Sequence, residues 1–199
     1  MGLCVNIVAE RSVENEFLVA AAGSSLRLSE AAGLTGESDF RVQEIGDNDL
    51  KTNRLGQVDC AAIDTIPEFV RGGLTMVITA RDLGVGPSHP RRLNFVFGMS
   101  HNAKGKLILS THRMRSTGDF GALATHEGGH SLGLVNPLMK NYDNDNFFPG
   151  HCVNDCVMQP AHSYDDMPNM VRQNERAHPF CGDCTGYLNF ILPSLPLKS

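Results

Sequence analysis

Short apolar runs alternate with longer amphipathic stretches along the first two thirds of this chain. Short runs rich in β-branched and aromatic residues are typical of strands, and apolar positions that recur every three to four residues are typical of helices. The short runs predict strands at residues 3–9, 40–45, 74–79, 93–98 and 106–111. The longer stretches predict a helix at 13–32, ended by Gly33, and a second at 58–70 in spite of Pro67. This alternation predicts a mixed sheet with helices packed on it.

One more amphipathic helix is predicted after the last of these strands. Ser116, Thr117 and Asp119 are all candidate caps for its first turn. Gly133 falls where the helix would stop, and a glycine there can adopt the left-handed conformation that turns the chain sharply. The segment between these limits contains most of the candidate chemistry of the chain.

Two histidines in this helix are spaced for binding one metal ion. His126 and His130 are four residues apart, so they share a helix face and can each present a nitrogen to Zn²⁺. Glu127 stands beside them and can reach a metal-bound water as general base. This pattern indicates a zinc peptidase, although the short motif also occurs in ordinary solvated helices. Two adjacent glycines, Gly128 and Gly129, lower helix propensity inside it, which predicts close approach of a neighbouring backbone or of the metal.

A catalytic zinc site has three protein ligands and one open position, so a third donor must lie outside the histidine pair. Asn136 follows three residues after Gly133 but offers only an amide oxygen, which is a poor zinc ligand. His151 is the alternative, and it lies further along the chain, directly before Cys152.

The combined motifs resemble those of the archaemetzincins, a branch of the metzincin clan of zinc peptidases. The resemblance covers residues from about 74 to 184. It rests on the zinc helix, on the histidine followed by cysteine, and on the later runs Cys156-Val157-Met158 and Phe180-Cys181-Gly182-Asp183-Cys184. It implies that His151 is a displaced third ligand after an insertion at 136–150. It also implies that Met158 forms the Met-turn, an apolar floor under the metal that does not bind it.

The resemblance implies an α/β (α+β) fold, with a metzincin-like mixed twisted sheet, packed helices, an active-site helix and a small zinc-stabilised C-terminal subdomain. We expect one catalytic domain over residues 1–199, with an N-terminal subdomain at 1–133 and a C-terminal subdomain at 134–199. An edge strand that pairs with extended substrate is expected near residues 93–98 or 106–111, on either side of a loop at 99–105.

Four of the six cysteines form two closely spaced pairs, Cys152 with Cys156 and Cys181 with Cys184. Such a set favours a closed Cys4 structural zinc site, which gives two zinc ions per chain; the alternative is two disulfides, which need an oxidising compartment. The N-terminal residues lack the pattern of a signal peptide, so we expect a reducing, cytoplasmic location. Cys4 and Cys60 are expected to be buried thiols.

The net charge and the apolar pattern of the chain limit the kinds of partner that it can bind. A net charge of −5 without a lysine- or arginine-rich run argues against nucleic acid. No apolar stretch is long enough to cross a bilayer. A run at 141–146 is rich in oxygen ligands and could bind calcium, although a solvated turn is the simpler interpretation. His178 is a minor alternative ligand for the cysteine site.

These observations predict a monomeric zinc metallopeptidase that acts on a peptide or protein. In this hypothesis His126, His130 and His151 hold the catalytic zinc and Glu127 acts as general base and then acid. Endopeptidase and aminopeptidase activity both remain open. The alternative from another class is a catalytically silent, zinc-stabilised module that retains the fold and binds peptides or proteins.

Overall fold

The computed structural model describes residues 3–34, 38–65, 73–85, 95–101, 105–144, 149–161 and 163–191. The strands are β1 (Cys4–Glu10), β2 (Asp39–Ile45), β3 (Val58–Asp59), β4 (Leu74–Thr79), β5 (Leu83–Gly84), β6 (Gly98–His101), β7 (Lys106–Ser110), β8 (Tyr142–Asp143) and β9 (His151–Cys152). The helices are α1 (Asn15–Ala31), α2 (Thr117–Ser131), α3 (Met167–Asn174) and α4 (Gly182–Ile191). The predicted α/β fold is confirmed.

Within these residues the main sheet has five strands in the order β2-β1-β4-β7-β6. The first four run parallel, and β6 pairs antiparallel with β7 at the edge. All of β4 and β7 is buried, and β1 is buried except at its first residue. Continuous apolar strands of this kind are typical of a parallel sheet that is covered on both faces.

Helices α1 and α2 cover one face of the sheet. Phe17 and Phe120 pack edge to face with their ring centroids 5.3 Å apart. The Ser24 hydroxyl donates a hydrogen bond to the Gly121 carbonyl at 2.8 Å, which brings the two helix backbones close together. The core on this side contains residues from both ends of the described chain, from Leu3 to Leu188. Helix α2, which carries the predicted histidine pair, is therefore fixed in the middle of the main core.

The opposite face of the sheet is covered by the segment around β3. Its residues form a second core with Val8, Val77 and Ile108 of the sheet. Here the predicted helix at 58–70 is wrong: the chain forms β3 and then a 3₁₀ helix, Cys60–Thr65. Residues 66–70 lie outside the described residues. The first residues of this segment are extended because β3 pairs in parallel with β5. The apolar periodicity of the segment contains no information about that pairing.

The predicted loop at 99–105 is also wrong in its first half, because β6 extends to His101. The strand predicted at 93–98 therefore lies later in the chain; residues 93 and 94 are outside the described residues. Other boundaries differ little from the prediction. Helix α1 ends at Ala31, and Gly33 adopts a φ of 66° just beyond it. No helix among the described residues is long and apolar enough to span a membrane.

Residues 136–144 fold back onto the C-terminal part of the chain. Its strand β8 pairs antiparallel with β9, so that Asp143 faces His151 and Tyr142 faces Cys152. The N–H of Gly150 closes the connection by donating to the Asp143 carbonyl at 3.1 Å. This segment is thereby attached to the strand that carries the candidate third ligand.

Candidate metal centres

Helix α2 begins with a side-chain cap. The Ser116 hydroxyl, one of the three predicted caps, accepts a hydrogen bond from the Asp119 N–H at 3.1 Å. After Ser131 the chain leaves the helix, and Gly133 adopts a φ of 90° as expected for a left-handed terminal glycine. Val135 follows with a φ of 56°, a conformation that is rare for a β-branched residue. This sharp turn directs the chain away from the helix.

The structure brings three imidazoles together. The ligand nitrogens of His126, His130 and His151 all lie within 4.8 Å of one another. Nε2 of His126 and Nε2 of His130 are 3.2 Å apart. Two nitrogens bound to one tetrahedral zinc at 2.0–2.1 Å would be about 3.3 Å apart. The spacing of the helical pair therefore fits a shared zinc ion.

Backbone carbonyls orient the two helical imidazoles. Nδ1 of His126 lies 2.8 Å from the Val157 carbonyl, which can only accept, so Nδ1 carries the proton and Nε2 is left as the ligand atom. The His130 ring forms a hydrogen bond with the backbone of Leu134. Burial lowers the pKa of His126 to about 4 and lowers the pKa of His130 well below its usual value. Both rings are thus neutral at physiological pH, which is the state that binds metal.

The third imidazole comes from β9. His151 is partly exposed and lies 5.3 Å from His126 and 5.2 Å from His130 between ring centroids. The alternative, Asn136, is engaged in the turn after α2: its amide donates to the Gly133 carbonyl at 3.1 Å, and its Oδ1 accepts from the Leu138 N–H at 2.9 Å. The geometry favours His151 over Asn136 as the third ligand.

Glu127 lies next to this group and is partly exposed. Removal of its carboxyl group from water raises its pKa to about 7, although a hydrogen bond from Ser100 and the charge on His151 act in the opposite direction. A carboxyl group with such a pKa can exchange a proton readily near neutral pH.

Among the described residues β6 is an edge strand of the main sheet, and this edge borders Glu127. The Ser110 N–H donates to the Phe97 carbonyl at 3.0 Å, so Phe97 forms a hydrogen-bonded pair with β7. Because such pairs alternate along antiparallel strands, the N–H and C=O groups of Gly98 and Ser100 point to the open edge. A Cβ added to Gly98 would lie 3.1 Å from Cγ of Glu127. Of the two strands expected near the site, β6 is the edge strand and β7 is core.

At Gly128 and Gly129 the closest approaches come from side chains, whereas the sequence predicted a neighbouring backbone or the metal. A Cβ on Gly128 would be 2.4 Å from Cδ1 of Leu28 in α1, and a Cβ on Gly129 would be 2.5 Å from Sδ of Met158. Met158 is fully buried and packs against the backbone of α2 at Gly129. The absence of side chains at these two positions thus lets two core residues pack directly against the backbone of α2.

A second cluster contains four cysteines. The sulfur atoms of Cys152, Cys156, Cys181 and Cys184 all lie within 4.8 Å of one another. Sγ of Cys152 is 3.7 Å from that of Cys181 and 3.9 Å from that of Cys184. Tetrahedral zinc with bonds of 2.3 Å would place two sulfurs about 3.8 Å apart, whereas a disulfide would bond them directly. All six cysteines are free thiols, and this spacing fits a metal site.

The ionisation of these cysteines is mutually dependent. The thiols of Cys156 and Cys184 donate to the Cys152 sulfur and lower its pKa to about 2. The same contact raises the pKa of Cys156 to about 12, and it raises the pKa of Cys184 as well. A second buried thiolate beside the first is unfavourable without a compensating charge. A divalent cation supplies that charge, so the donor set fits Zn²⁺.

Two asparagines donate hydrogen bonds to this cluster, and neither was predicted as part of it. Asn154 donates from its backbone N–H to Cys152 at 3.3 Å and from its side chain to Cys181 at 3.4 Å. Asn141 contacts three sulfurs through its side-chain nitrogen. The run at 141–146 had suggested either calcium binding or a solvated turn, but Asn141 is only 2% exposed. Residues 145 and 146 lie outside the described residues.

Three further predicted residues lie outside both centres. His178 belongs to neither metal-binding group among the described residues. Cys60 is buried as expected, and burial raises its pKa to about 12. Cys4 is half-buried, so the expectation of a buried thiol is wrong there, because its strand lies next to the exposed strand β2.

Two solved structures are similar to this chain over most of its length. One is an archaemetzincin from Archaeoglobus fulgidus in complex with malonate, with 19% identity, a TM-score of 0.64, and coverage of 92% of this chain and 98% of that one. The other is an archaemetzincin from Methanopyrus kandleri, with 21% identity, a TM-score of 0.69, and coverage of 96% of each chain. No protein-family model and no curated protein matches the chain. At this identity the likeness shows that the chain has the archaemetzincin fold.

Proposed function

We propose that this protein is a zinc-dependent peptidase that hydrolyses peptide bonds at the three-histidine centre. One observation carries the proposal: three buried or half-buried imidazoles converge on one point, and a carboxyl group with a raised pKa lies beside them at the open edge of a sheet. The archaemetzincin fold supports the same activity.

His126, His130 and His151 would hold the zinc ion, which when bound supplies Lewis-acid polarisation of water and of the scissile carbonyl. Three protein ligands leave a fourth position open, as catalytic zinc sites require. Because the helical imidazoles are neutral and oriented by backbone carbonyls, metal binding would need little proton release or rearrangement.

Glu127 would act on the attacking water. As a carboxylate it takes a proton from the water, and as a carboxylic acid it then gives that proton to the departing amine. Its raised pKa supports this double role, because both forms are accessible near neutral pH. The Ser100 hydroxyl, which donates to the carboxylate, would hold it in position.

The substrate would bind as an added strand at the open edge of β6. The outward N–H and C=O groups of Gly98 and Ser100 can pair with the main chain of an extended peptide, largely without regard to its sequence. Gly98 and Ser100 also border Glu127 on one face of the sheet, so a peptide paired with β6 would pass next to the Glu127 carboxyl group. We therefore propose peptides or proteins as substrates.

The cysteine cluster would hold a second, structural zinc. Its four sulfurs leave no open position, and Cys152 directly follows His151, so a metal here would also fix the third histidine. Free thiols in such a cluster persist in a reducing compartment, and we propose the cytoplasm as the site of action.

The test combines metal analysis with a search for activity. The purified chain is assayed for zinc by mass spectrometry, and its action on a diverse peptide mixture is followed by the appearance of new termini. We expect cleavage products from the wild-type chain and none from Glu127→Gln. A chain that carries zinc in the histidine site but cleaves nothing contradicts the peptidase proposal and supports the binding-module alternative.

A further inference from the structure

The side-chain nitrogen of Asn141 lies against three of the four sulfurs in the cysteine cluster. Its Nδ2 is 2.8 Å from Sγ of Cys152, 3.1 Å from Sγ of Cys184 and 3.6 Å from Sγ of Cys181. All four sulfurs lie within 4.8 Å of one another, and the three that Nδ2 contacts form one face of the group. The amide therefore caps the face formed by the sulfurs of Cys152, Cys181 and Cys184.

The backbone around Asn141 fixes this placement. Its carbonyl accepts a hydrogen bond from the Val153 N–H at 3.0 Å, directly after Cys152. The following residue, Tyr142, pairs with Cys152 across β8 and β9. Asn141 is thus attached on both sides to the strand that carries Cys152, although it comes from the insertion at 136–150.

The orientation of the amide indicates which state of the sulfurs it recognises. Nδ2 can only donate, and a thiolate is the better acceptor, so this orientation favours ionised sulfurs. Oδ1 of Asn141 is buried and has no hydrogen-bond partner among the described residues. Four thiolates around one Zn²⁺ would keep a net double negative charge in a buried place, and amide donors are a means of stabilising it.

We propose that Asn141 is a positioning residue of the cysteine metal site, which caps its thiolates with N–H···S hydrogen bonds and fastens the segment at 136–144 to it. This inference rests on the second metal of the proposed function but is independent of peptidase activity. Loss of the cap would weaken metal binding and free the insertion. Since Asp143 pairs with His151, the third ligand of the histidine site would also lose support.

Substitution provides the first test. Asn141→Ala removes the donor, and Asn141→Asp keeps the shape while replacing the donor with a negative charge. Asn144, exposed in the same insertion, gives matched controls as Asn144→Ala and Asn144→Asp. Zinc affinity at the cysteine site, measured by competition with a chromophoric chelator, is expected to fall about 10–100-fold for Asn141→Ala and further for Asn141→Asp. Affinities within twofold of the Asn144 variants would overturn the proposal.

A spectroscopic signature separates capping from general support of the fold. In the cobalt-loaded protein, loss of N–H···S bonds makes the thiolates better electron donors, so the sulfur-to-cobalt charge-transfer band should move to lower energy in Asn141→Ala. The band should not move in Asn144→Ala. An unmoved band in a folded, cobalt-loaded Asn141→Ala protein would contradict capping.

The third measurement uses the wild-type chain and so does not depend on any variant folding. With ¹¹³Cd at the cysteine site and ¹⁵N labelling, the side-chain amide protons of Asn141 should show scalar coupling to cadmium across the N–H···S bonds. Cadmium bound at the cysteines without such coupling would overturn the cap alone. Cysteines that bind no metal would overturn both the cap and the structural zinc site, but not the histidine centre.

Discussion

Met158 lies directly under Gly129 of helix α2, so close that a Cβ on Gly129 would be 2.5 Å from its sulfur and 3.1 Å from its terminal methyl carbon. A third atom, Cδ1 of Leu134, would be 3.0 Å away. The close packing of Met158 and Leu134 against the helix therefore favours glycine at this position. A residue of low helix propensity in the last turn of α2 is therefore explained by the side chains that pack against it.

We expect Gly129→Ala to destabilise the protein by about 1–3 kcal/mol, because two buried side chains must move and this exceeds the roughly 1 kcal/mol gained in helix propensity. Gly128→Ala should cost less, since only Leu28 lies within 3.0 Å of the added carbon. Urea unfolding of each variant, monitored by circular dichroism, measures the difference.

Gly23 in the interior of α1 provides the control, because an added Cβ there meets no atom within 4 Å. Gly23→Ala should stabilise the protein by up to about 1 kcal/mol through helix propensity alone. If Gly129→Ala were as stabilising as Gly23→Ala, close packing of Met158 on the helix would be refuted.

Glu127→Gln should keep zinc in the histidine site while peptide hydrolysis falls by at least about 10²–10⁴-fold. The amide retains the size of the side chain but cannot take a proton from water. The measurement is the initial rate of cleavage of a substrate found with the wild-type chain, at equal zinc content.

Glu30→Gln, an exposed change in α1, serves as the control for altered charge and should retain full activity. Wild-type rates in Glu127→Gln would remove Glu127 from the mechanism.

His151→Ala should weaken zinc binding at the histidine site by more than about 10–100-fold. That range is typical when a residue that only forms a hydrogen bond with a metal ligand is lost, and His151→Ala removes a proposed ligand itself. Asn136→Ala should change it little, because the Asn136 side chain is engaged in the turn after α2. Titration of each metal-free variant with zinc in a competing chelator compares the two. The reverse order would mean that the position nearest the helix provides the ligand.

Cys181→Ser should reduce the zinc content from two ions per chain to one. The C-terminal segment should become susceptible to proteolysis, because the free energy of metal binding there is also free energy of folding. Cys4→Ser, outside the cluster, should keep both ions. A fully loaded wild-type chain with a single zinc would contradict the structural site.

The archaemetzincin-like fold could be predicted because its signals are local and combined. The apolar runs gave β1, β4 and β7 to within a residue or two, and the cap and terminal glycine delimited α2. The pattern failed at residues 58–65 and at β6, where pairing with strands distant in sequence sets the conformation. Periodicity within a short segment contains no information about such partners.

The candidate sites divide in the same way. Residue spacing by itself determined that His126, Glu127 and His130 share a helix and that the cysteines form two chelating pairs, since helical periodicity and short turns fix those distances. Only the tertiary structure placed Asn136 in a turn and His151 beside the helical pair, because 20 residues separate His130 from His151 and loop closure depends weakly on length. Only packing could reveal Asn141 against the sulfurs, since its contact joins segments that no local pattern connects.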